Sequence, residues 1–519
     1  MENSSFDVQG MTYGGCTGKV QRALSKLDGV SHVYVSLRPG IATVQADPAR
    51  VTSAQIVSVI TKFGYSAQVR AADRQERHIL SNVTEQLQSV GIKPASDLLK
   101  RLFHGFNGSV TMRLWNGTSL KLGNAEHDDA RPQFTLVCRG PGVVRSMVLG
   151  RDPLRLAEAY FRGDIDVEGD FFAALSLKDH LRSIQMSSRD RLSTLLAALR
   201  LPSSAGGAPN TDSNRATLHG RGVKAHSKTE NLDAIAFHYD VSNEFYALWL
   251  DEAMVYSCAY FESPAVDLAQ AQQAKLDHIC RKLLLKPGER LLDIGCGWGA
   301  LAIHAAQHYG VHAHGVTLSR HQFTRAQQRI DEAGLQDRVT VELRDYRDLQ
   351  GEALYDKVAS VGMFEHVGLK NLPVYFATVQ RLLKPAGLFL NHGITNFTEG
   401  WNKTLSTEFI NRYIFPDGQL DTISNVQRVM ERADFEIADV ESLRPHYALT
   451  LRHWVSRLEQ NRKRALEHVS ESTYRIWRLY MAACALEFEA GEIGVYQVLA
   501  SKRAAGRTMI PLTRRHMYP

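Results

Sequence analysis

LLDIGCGWGAL, residues 291–301, runs four strand-type residues into glycines at alternate positions, Gly295, Gly297 and Gly299, and then opens into helical sequence. A glycine turn between a strand and a helix lets the backbone pass close to a ligand at the helix N-terminus. Turns of this kind hold several nucleotides. With Ala300 as its last small residue, the stretch also comes close to the G-x-G-x-x-G dinucleotide pattern. Asp293, on the strand two residues ahead of Gly295, extends it to D-x-G-x-G-x-G. Outward from the turn, strand and helix alternate. ERLLDIG, VHAHGVTLS, RVTVEL, YDKVASVGM and LFLNHGIT read as strands, and ALAIHAAQHYG and HQFTRAQQRIDEAG as helices. Residues 231–510 are therefore expected to form an α/β domain, a doubly wound, mostly parallel sheet with helices on both faces.

The rest of the chain fits around that domain. At 519 residues it exceeds what one hydrophobic core serves, and 44% hydrophobic with 22% charged residues is globular composition. The 61 Lys+Arg against 55 Asp+Glu leave +6, a mild preference for anionic surfaces that admits a membrane face or a nucleic acid. Cys16, Cys138, Cys258, Cys280, Cys296 and Cys484 lack paired spacing, and MENSSFDVQG has neither a basic start nor an apolar stretch; both point to a reducing cytoplasm. No run approaches the ~18 apolar residues of a spanning helix, so any membrane contact is expected to be peripheral. Residues 5–70 read βαββαβ, a ferredoxin-like unit whose first helix carries Val20, Ala23, Leu24 and Leu27 on one face. Residues 79–200 read as a small α+β domain: helical LLKRLFHGF, then GSVTMRLWNG, TSLKLGN, PQFTLVCRG and VVRSMVLG as strands, then a helix around Ala157–Phe161 turning at Gly163. Residues 202–230 are rich in Ser, Gly and Pro and read as a linker.

Asp293 with the glycine turn, together with the later Leu-Lys-Pro-x-Gly of LLKPAGLFL, resembles the class I S-adenosylmethionine methyltransferases, which implies a seven-stranded sheet of Rossmann-like type. Strand VHAHGVTLS ends without the acidic residue that most such enzymes place on the ribose, offering Thr317, Ser319 and Gln322 instead. FHYDVSNEFYALWLD (237–251), MVYSCAYFE (254–262), LLDIGCGWG (291–299), GVTLSRHQ (315–322), DYRDL (345–349), VGMFEHVG (361–368) and LNHGIT (390–395) together resemble the cyclopropane fatty acid synthases, including the mycolic acid cyclopropane synthases. The resemblance implies S-adenosylmethionine held by Tyr256, Ser257, Asp293, Gly295, Gly297, Gly299, Thr317, Gln322, Asp345 and Tyr346, with Trp298 packing over the ligand or closing the turn. It also implies a bound bicarbonate acting as base, held by Cys258, Glu365, His392, Ile394 and Tyr447.

The residue types suit that chemistry. An alkene is a poor nucleophile, so methyl transfer from a sulfonium needs alignment in a dry pocket and creates a carbocation. Aromatic faces stabilise a cation without reacting with it. Tyr239, Phe245, Tyr246, Tyr256, Tyr260, Phe261 and Phe364 are candidates for the lining, each with ordinary core packing as its alternative. Closing a ring requires a proton to leave the transferred methyl, and hence a base. Cys258 and His392 read equally well as core residues; a carboxylate such as Glu365 beside apolar VASVGMF is costly to bury without a partner.

GMTYGGCTGKV resembles the heavy-metal-associated loop G-M-x-C-x-x-C, but Tyr13 replaces the first ligand cysteine, and Cys16 alone cannot supply the thiolate pair that holds Cu(I). No metal site within one chain is therefore expected, which leaves a scaffold role or a site shared between two chains. AEAYFRGDIDVEGD resembles the N-terminal part of longer cyclopropane synthases, which helps present lipid. Leu451, Trp454, Val455 and Leu458, at helical spacing among arginines, read as a core-facing helix in preference to an interfacial one, and the basic C-terminal stretch could attract anionic lipid. The expected partner is an unsaturated phospholipid at the inner membrane face, with no nucleic acid and with a homodimer left open. Three alternatives are weighed: a fatty-acyl methyltransferase leaving a methyl or methylene branch, a metal-binding protein acting through residues 5–70, and a nucleic-acid methyltransferase, against which stands the lack of an Asn-Pro-Pro-Tyr or Asp-Pro-Pro-Tyr motif.

Overall fold

The computed structural model describes residues 2–11, 14–37, 39–48, 50–70, 91–106, 108–123, 134–150, 153–177, 188–202, 241–399, 405–414, 418–506 and 510–518. Tyr13, Tyr239 and the linker beyond Pro202 lie outside them. The chain divides into two compact units, Met1–Ile92 and Lys93–Pro519.

In the first unit, β1 (Glu2–Gln9), a helix (Gly14–Leu24), β2 (Val30–Ser36), β3 (Ile41–Ala46), a helix (Ser53–Lys62) and β4 (Ser66–Val69) follow the expected βαββαβ order. The sheet runs β2-β3-β1-β4 with every pairing antiparallel. Alternate strand residues point inward, so Phe6 and Val8, Val33 and Val35, and Ala42, Val44 and Ala46 bury against Val20, Leu24, Ile56 and Ile60 of the helices.

The second unit opens with the helix Ile92–Leu102, then β5 (Val110–Arg113), β6 (Ser119–Leu122), β7 (Phe134–Cys138) and β8 (Ile165–Gly169) in the order β6-β5-β7-β8. VVRSMVLG is not the strand its β-branched residues suggest; it lies in the helix Pro141–Gly150. Val143, Val144, Met147 and Val148 are all buried. That is a helical spacing, with two adjacent residues inward where a strand would alternate, and tertiary burial overrides the propensity of valine. The helix Pro153–Arg162 ends as expected at Gly163, whose φ of 80° suits the turn.

Seven strands form the large sheet: β9 (Arg290–Ile294), β10 (His312–Thr317), β11 (Val339–Leu343), β12 (Tyr355–Val361), β13 (Leu383–Asn396), β14 (Phe435–Ser442) and β15 (Ile493–Lys502). Their order is β11-β10-β9-β12-β13-β15-β14, parallel except for β15, which is antiparallel to both neighbours. The sheet is wound on both faces. Leu292, Val358, Phe389 and Val498 pack against Tyr375, Phe376 and Met430 of one helix layer. Their chain neighbours Leu291, Ala359, Leu388 and Leu499 pack against Leu276, Ile279 and Ala305 of the other.

The helices Arg444–Gln460 and Glu471–Ala490 build a further core in which Leu451, Trp454, Val455 and Leu458 are at most 2% exposed, so that stripe faces the core, as expected. The α+β block docks on the same helices. Arg475 donates to the carbonyls of Tyr160 (3.1 Å) and Ile165 (3.2 Å) and to the Asp166 carboxylate (2.9 Å), and Phe161 packs on Tyr413.

Candidate active site

The glycine turn sits where the sequence places it, between β9 and the helix Ala300–Tyr309. Gly295, Gly297 and Gly299 have φ of 80°, 54° and 80°, values that side-chain-bearing residues rarely adopt. The amides of Gly295 and Cys296 both donate to the Val316 carbonyl, which ties the turn to β10. At the end of β10, Thr317 Oγ1 donates to Gln322 Oε1 (2.8 Å) and accepts from the Ser319 amide, while Ser319 caps the helix Arg320–Glu332 by accepting from the Gln322 amide. At the end of β11, Asp345 accepts from the amide and guanidinium of Arg347, which fixes the short helix carrying Tyr346.

These strand ends surround a cleft of about 1120 Å³ open to solvent. Tyr256, Ser257, Asp293, Gly295, Gly297, Thr317, Gln322, Asp345 and Tyr346 all line it; Gly299, the tenth residue expected around a cofactor, stands just behind as the N-cap of the following helix. A cleft outside the carboxyl ends of parallel strands is the ordinary ligand position of such sheets. Trp298 lines the cleft but is only 2% exposed, its indole donating to Asn243 Oδ1 (2.8 Å) and packing on Tyr246, so it closes the turn as well.

Sequence reasoning missed Lys275. It is 2% exposed on the helix Leu268–Lys282, lines the cleft and donates to Ser257 Oγ (3.0 Å). Burial lowers its ammonium to about 8, with Asp251 pulling it back. Burial likewise raises the Asp293 carboxyl to about 7, with Lys275 opposing. The available signal was position: Gln272, Lys275 and Ile279 recur at core spacing.

Of the residues expected around a base, Cys258, Glu365 and His392 are buried and Ile394 and Tyr447 half-buried. Ile394 donates its amide to Glu365 Oε1 (2.7 Å), while Glu365 Oε2 has no partner. Burial raises this carboxyl to about 7, and the Ile394 bond pulls the other way. His392, two residues back along β13, is held at about 3 by burial and by the nearby Lys275 and Lys282 charges, and its Nδ1 lies 3.2 Å from Gln497 Nε2. Ile394 pairs with Val495 across the sheet, Val495 accepts from the Leu443 amide, and the Leu443 carbonyl receives both Cys258 Sγ (3.7 Å) and the Tyr447 amide. Backbone contacts through Val495 and Leu443 thus connect Glu365, Ile394, Cys258 and Tyr447, and His392 joins them along β13. The Tyr447 ring packs on Phe488 (4.8 Å) and Trp454.

Cleft and cluster share walls. Ser257 lines the cleft while Cys258, next in the chain, is fully buried in the neighbouring core; Met363, His366 and Val367 line the cleft while Glu365 turns to Ile394. The expected aromatic lining is sorted differently. Tyr256 lines the cleft and packs on Tyr246, Trp249 and Trp454. Phe245 and Tyr246 are fully buried behind it, Tyr260 is sandwiched between His278 and His446, and Phe261 stacks on His453. Phe364 belongs to the core under β13, where only a glycine at 393 leaves room for its ring.

In the first unit, Cys16 is buried. No group of three or more metal-ligating side chains occurs among the described residues.

Comparison with known proteins gives three family matches: mycolic acid cyclopropane synthetase over residues 226–498, the heavy-metal-associated domain over 5–66, and a domain of unknown function over 97–185. A probable fatty acid methyltransferase of Pseudomonas putida is 40% identical over 412 residues, 79% of this chain and 96% of that protein. The cyclopropane-fatty-acyl-phospholipid synthase of Escherichia coli K12 is 44% identical over 267 residues, 51% of this chain and 66% of that protein. Among solved structures, a mycolic acid cyclopropane synthase complexed with SAH and CTAB aligns with a TM-score of 0.50 at 36% identity, covering 52% of this chain and 98% of that one.

Proposed function

The chain belongs to the mycolic acid cyclopropane synthetase family, and from that premise we propose that it adds the methyl carbon of S-adenosylmethionine across the cis double bond of an unsaturated phospholipid acyl chain, closing a cyclopropane ring. It is an S-adenosylmethionine-dependent methyltransferase of the cyclopropane fatty acid synthase type. What supports the finer reading is the buried Glu365 carboxyl, its Oε2 unpartnered, next in the chain to His366 in the wall of the cofactor cleft.

The cofactor supplies a sulfonium methyl. Asp293, with its carboxyl near 7, and Lys275 balance charge in the cleft wall, while Thr317, Gln322 and Asp345 would hold the nucleoside. As the alkene takes the methyl, the C–S bond breaks, a C–C bond forms and the adjacent carbon becomes cationic. Tyr256, backed by Tyr246, Trp249 and Trp454, offers aromatic faces to that charge. Loss of a proton from the new methyl frees the electron pair that closes the ring.

The second cluster fits a small oxyanion. Glu365 Oε2 is a buried polar atom without a partner, and at its raised value the carboxyl keeps a proton it can donate. With Gln497 donating from Nε2, His392 accepts at Nδ1 and carries its own proton on Nε2. Bicarbonate, held by Cys258, Glu365, His392, Ile394 and Tyr447, would supply the base. The acceptor is taken to be intact phospholipid, reached from the cytoplasmic face by peripheral contact; no described helix is long and apolar enough to cross a membrane. The first unit, with Tyr13 in place of a thiolate, is assigned a scaffold role and no metal.

The similarity to a probable fatty acid methyltransferase over nearly its whole length favours a second reading, in which the cation yields a methyl or methylene branch. Incubation with S-adenosylmethionine and mono-unsaturated phospholipid vesicles, followed by mass spectrometry and NMR of the fatty acids, separates them. A gain of one CH₂ with cyclopropane protons supports the ring; a branched signal replaces it with the second reading; no gain despite cofactor binding ends both.

A further inference from the structure

The helix Ser188–Leu199 sits the opposite way round from an ordinary amphipathic helix. Thr194 and Ala198 point into the protein, at 3% and 0% exposure, followed by Leu201 at 2%. Leu192, Leu196 and Leu199, at i, i+4 and i+7, point out at 59%, 52% and 54%. The orientation is fixed: Arg145 donates to the Leu201 carbonyl (2.7 Å), Arg101 donates to Ser193 Oγ (3.4 Å), and Thr194 Oγ1 is left buried without a partner. Half a turn of rotation would bury three leucines and free that hydroxyl. The chain keeps the leucines outward, which is the arrangement of a helix whose apolar face is covered from outside.

The border of the stripe says by what. Lys100 and Arg101 are exposed at the end of the helix Ile92–Leu102 that the Arg101–Ser193 bond joins to the leucine helix, and Arg200 is exposed at the stripe's end. Against these three bases stand two exposed acids on the same helices, Asp97 and Asp190. Leucines ringed by net positive charge match a surface that is apolar below and anionic above. We propose that Leu192, Leu196 and Leu199, with Lys100, Arg101 and Arg200, form the surface that docks the enzyme on anionic phospholipid bilayers. The choice of lipid as occupant rests on the phospholipid reading above; the orientation of the helix does not.

The test uses the full chain and sonicated vesicles of equal parts phosphatidylglycerol and phosphatidylcholine, with pure phosphatidylcholine beside them. Leu192→Glu combined with Leu196→Glu is expected to lower cosedimentation with the mixed vesicles at least tenfold at unchanged thermal midpoint. Arg200→Glu is expected to weaken binding to the mixed vesicles severalfold and leave the pure ones unchanged. Both variants should keep wild-type turnover on lipid dispersed in detergent and lose turnover on the mixed vesicles in proportion to the binding lost. Undiminished vesicle binding by the leucine variant overturns the proposal, as does a dimer that dissociates in that variant while vesicle binding persists, since the face would then join two copies. If the wild type modifies no lipid, the phospholipid reading falls, and cosedimentation, which needs no product, still decides the docking surface.

Discussion

Replacing Glu365 with Gln should remove the proposed ring-forming activity and, at the same time, make the protein more stable above neutral pH. The carboxyl is buried with its Oε2 unpartnered, and burial raises it from an ordinary 4.5 to about 7. A group whose folded value is raised gives its full stability below about 4.5, loses it progressively as pH rises, and carries the whole penalty above about 7. That rise is worth ~3 kcal/mol. Gln keeps the oxygen that accepts from Ile394 and leaves one polar atom orphaned, as the protonated acid does, so the two proteins should be about level at pH 4.5. At pH 8 the variant should lead by ~3 kcal/mol, about 3 °C in midpoint for a unit of this size. His392, held at about 3, tilts stability the other way in both proteins and cancels from the difference. Thermal unfolding of the pair from pH 4.5 to 8, with fatty-acid analysis of each, measures it. A variant that melts below wild type at pH 8, or whose difference from wild type is independent of pH, would refute the claim that Glu365 is an ionisable group under desolvation.

Other outcomes follow from the same geometry. Asp293, at about 7, should make binding of the cationic S-adenosylmethionine strengthen by up to roughly tenfold between pH 6 and 7.5, and Asp293→Asn should flatten that profile in calorimetric titrations. Gly393→Ala would place a Cβ 1.9 Å from the Phe364 ring and 3.1 Å from Glu365 Oε1; a loss of about 2–3 kcal/mol and of turnover is expected, with SAH affinity nearly unchanged. Arg475→Met removes the donor shared by the Tyr160 and Ile165 carbonyls and the Asp166 carboxylate, which keeps Arg139, so the α+β block should loosen by about 1–2 kcal/mol, read as faster limited proteolysis between that block and the large sheet.

The cofactor cleft was legible in the sequence because its signals are local. Three glycines at positive φ between a strand and a helix announce themselves within eleven residues, and Thr317 follows from its place at the next strand's end, while Asp345 and Tyr346 came from the family resemblance. The residues expected around a base were not legible in that way: Cys258, Glu365, His392 and Tyr447 lie on four separate elements joined by long-range contacts, and only the family resemblance grouped them. Lys275 escaped because a lysine at core spacing looks like an exposed one until its neighbours are known. VVRSMVLG was misread because valine's strand propensity yields to the face it buries, and the candidate lining aromatics separated because Tyr260 and Phe261 stack on histidines and Phe245, Tyr246 and Phe364 pack into the core instead of lining the cleft.

The shared wall has a consequence for how this protein can change. Because Ser257 and Cys258, or Glu365 and His366, are chain neighbours serving opposite compartments, a backbone adjustment that suits one compartment displaces the other. Variation on the two sides of that wall is therefore inherited together, and an engineer seeking a new acceptor would do better to exchange the peripheral block held by Arg475 than to touch either dipeptide.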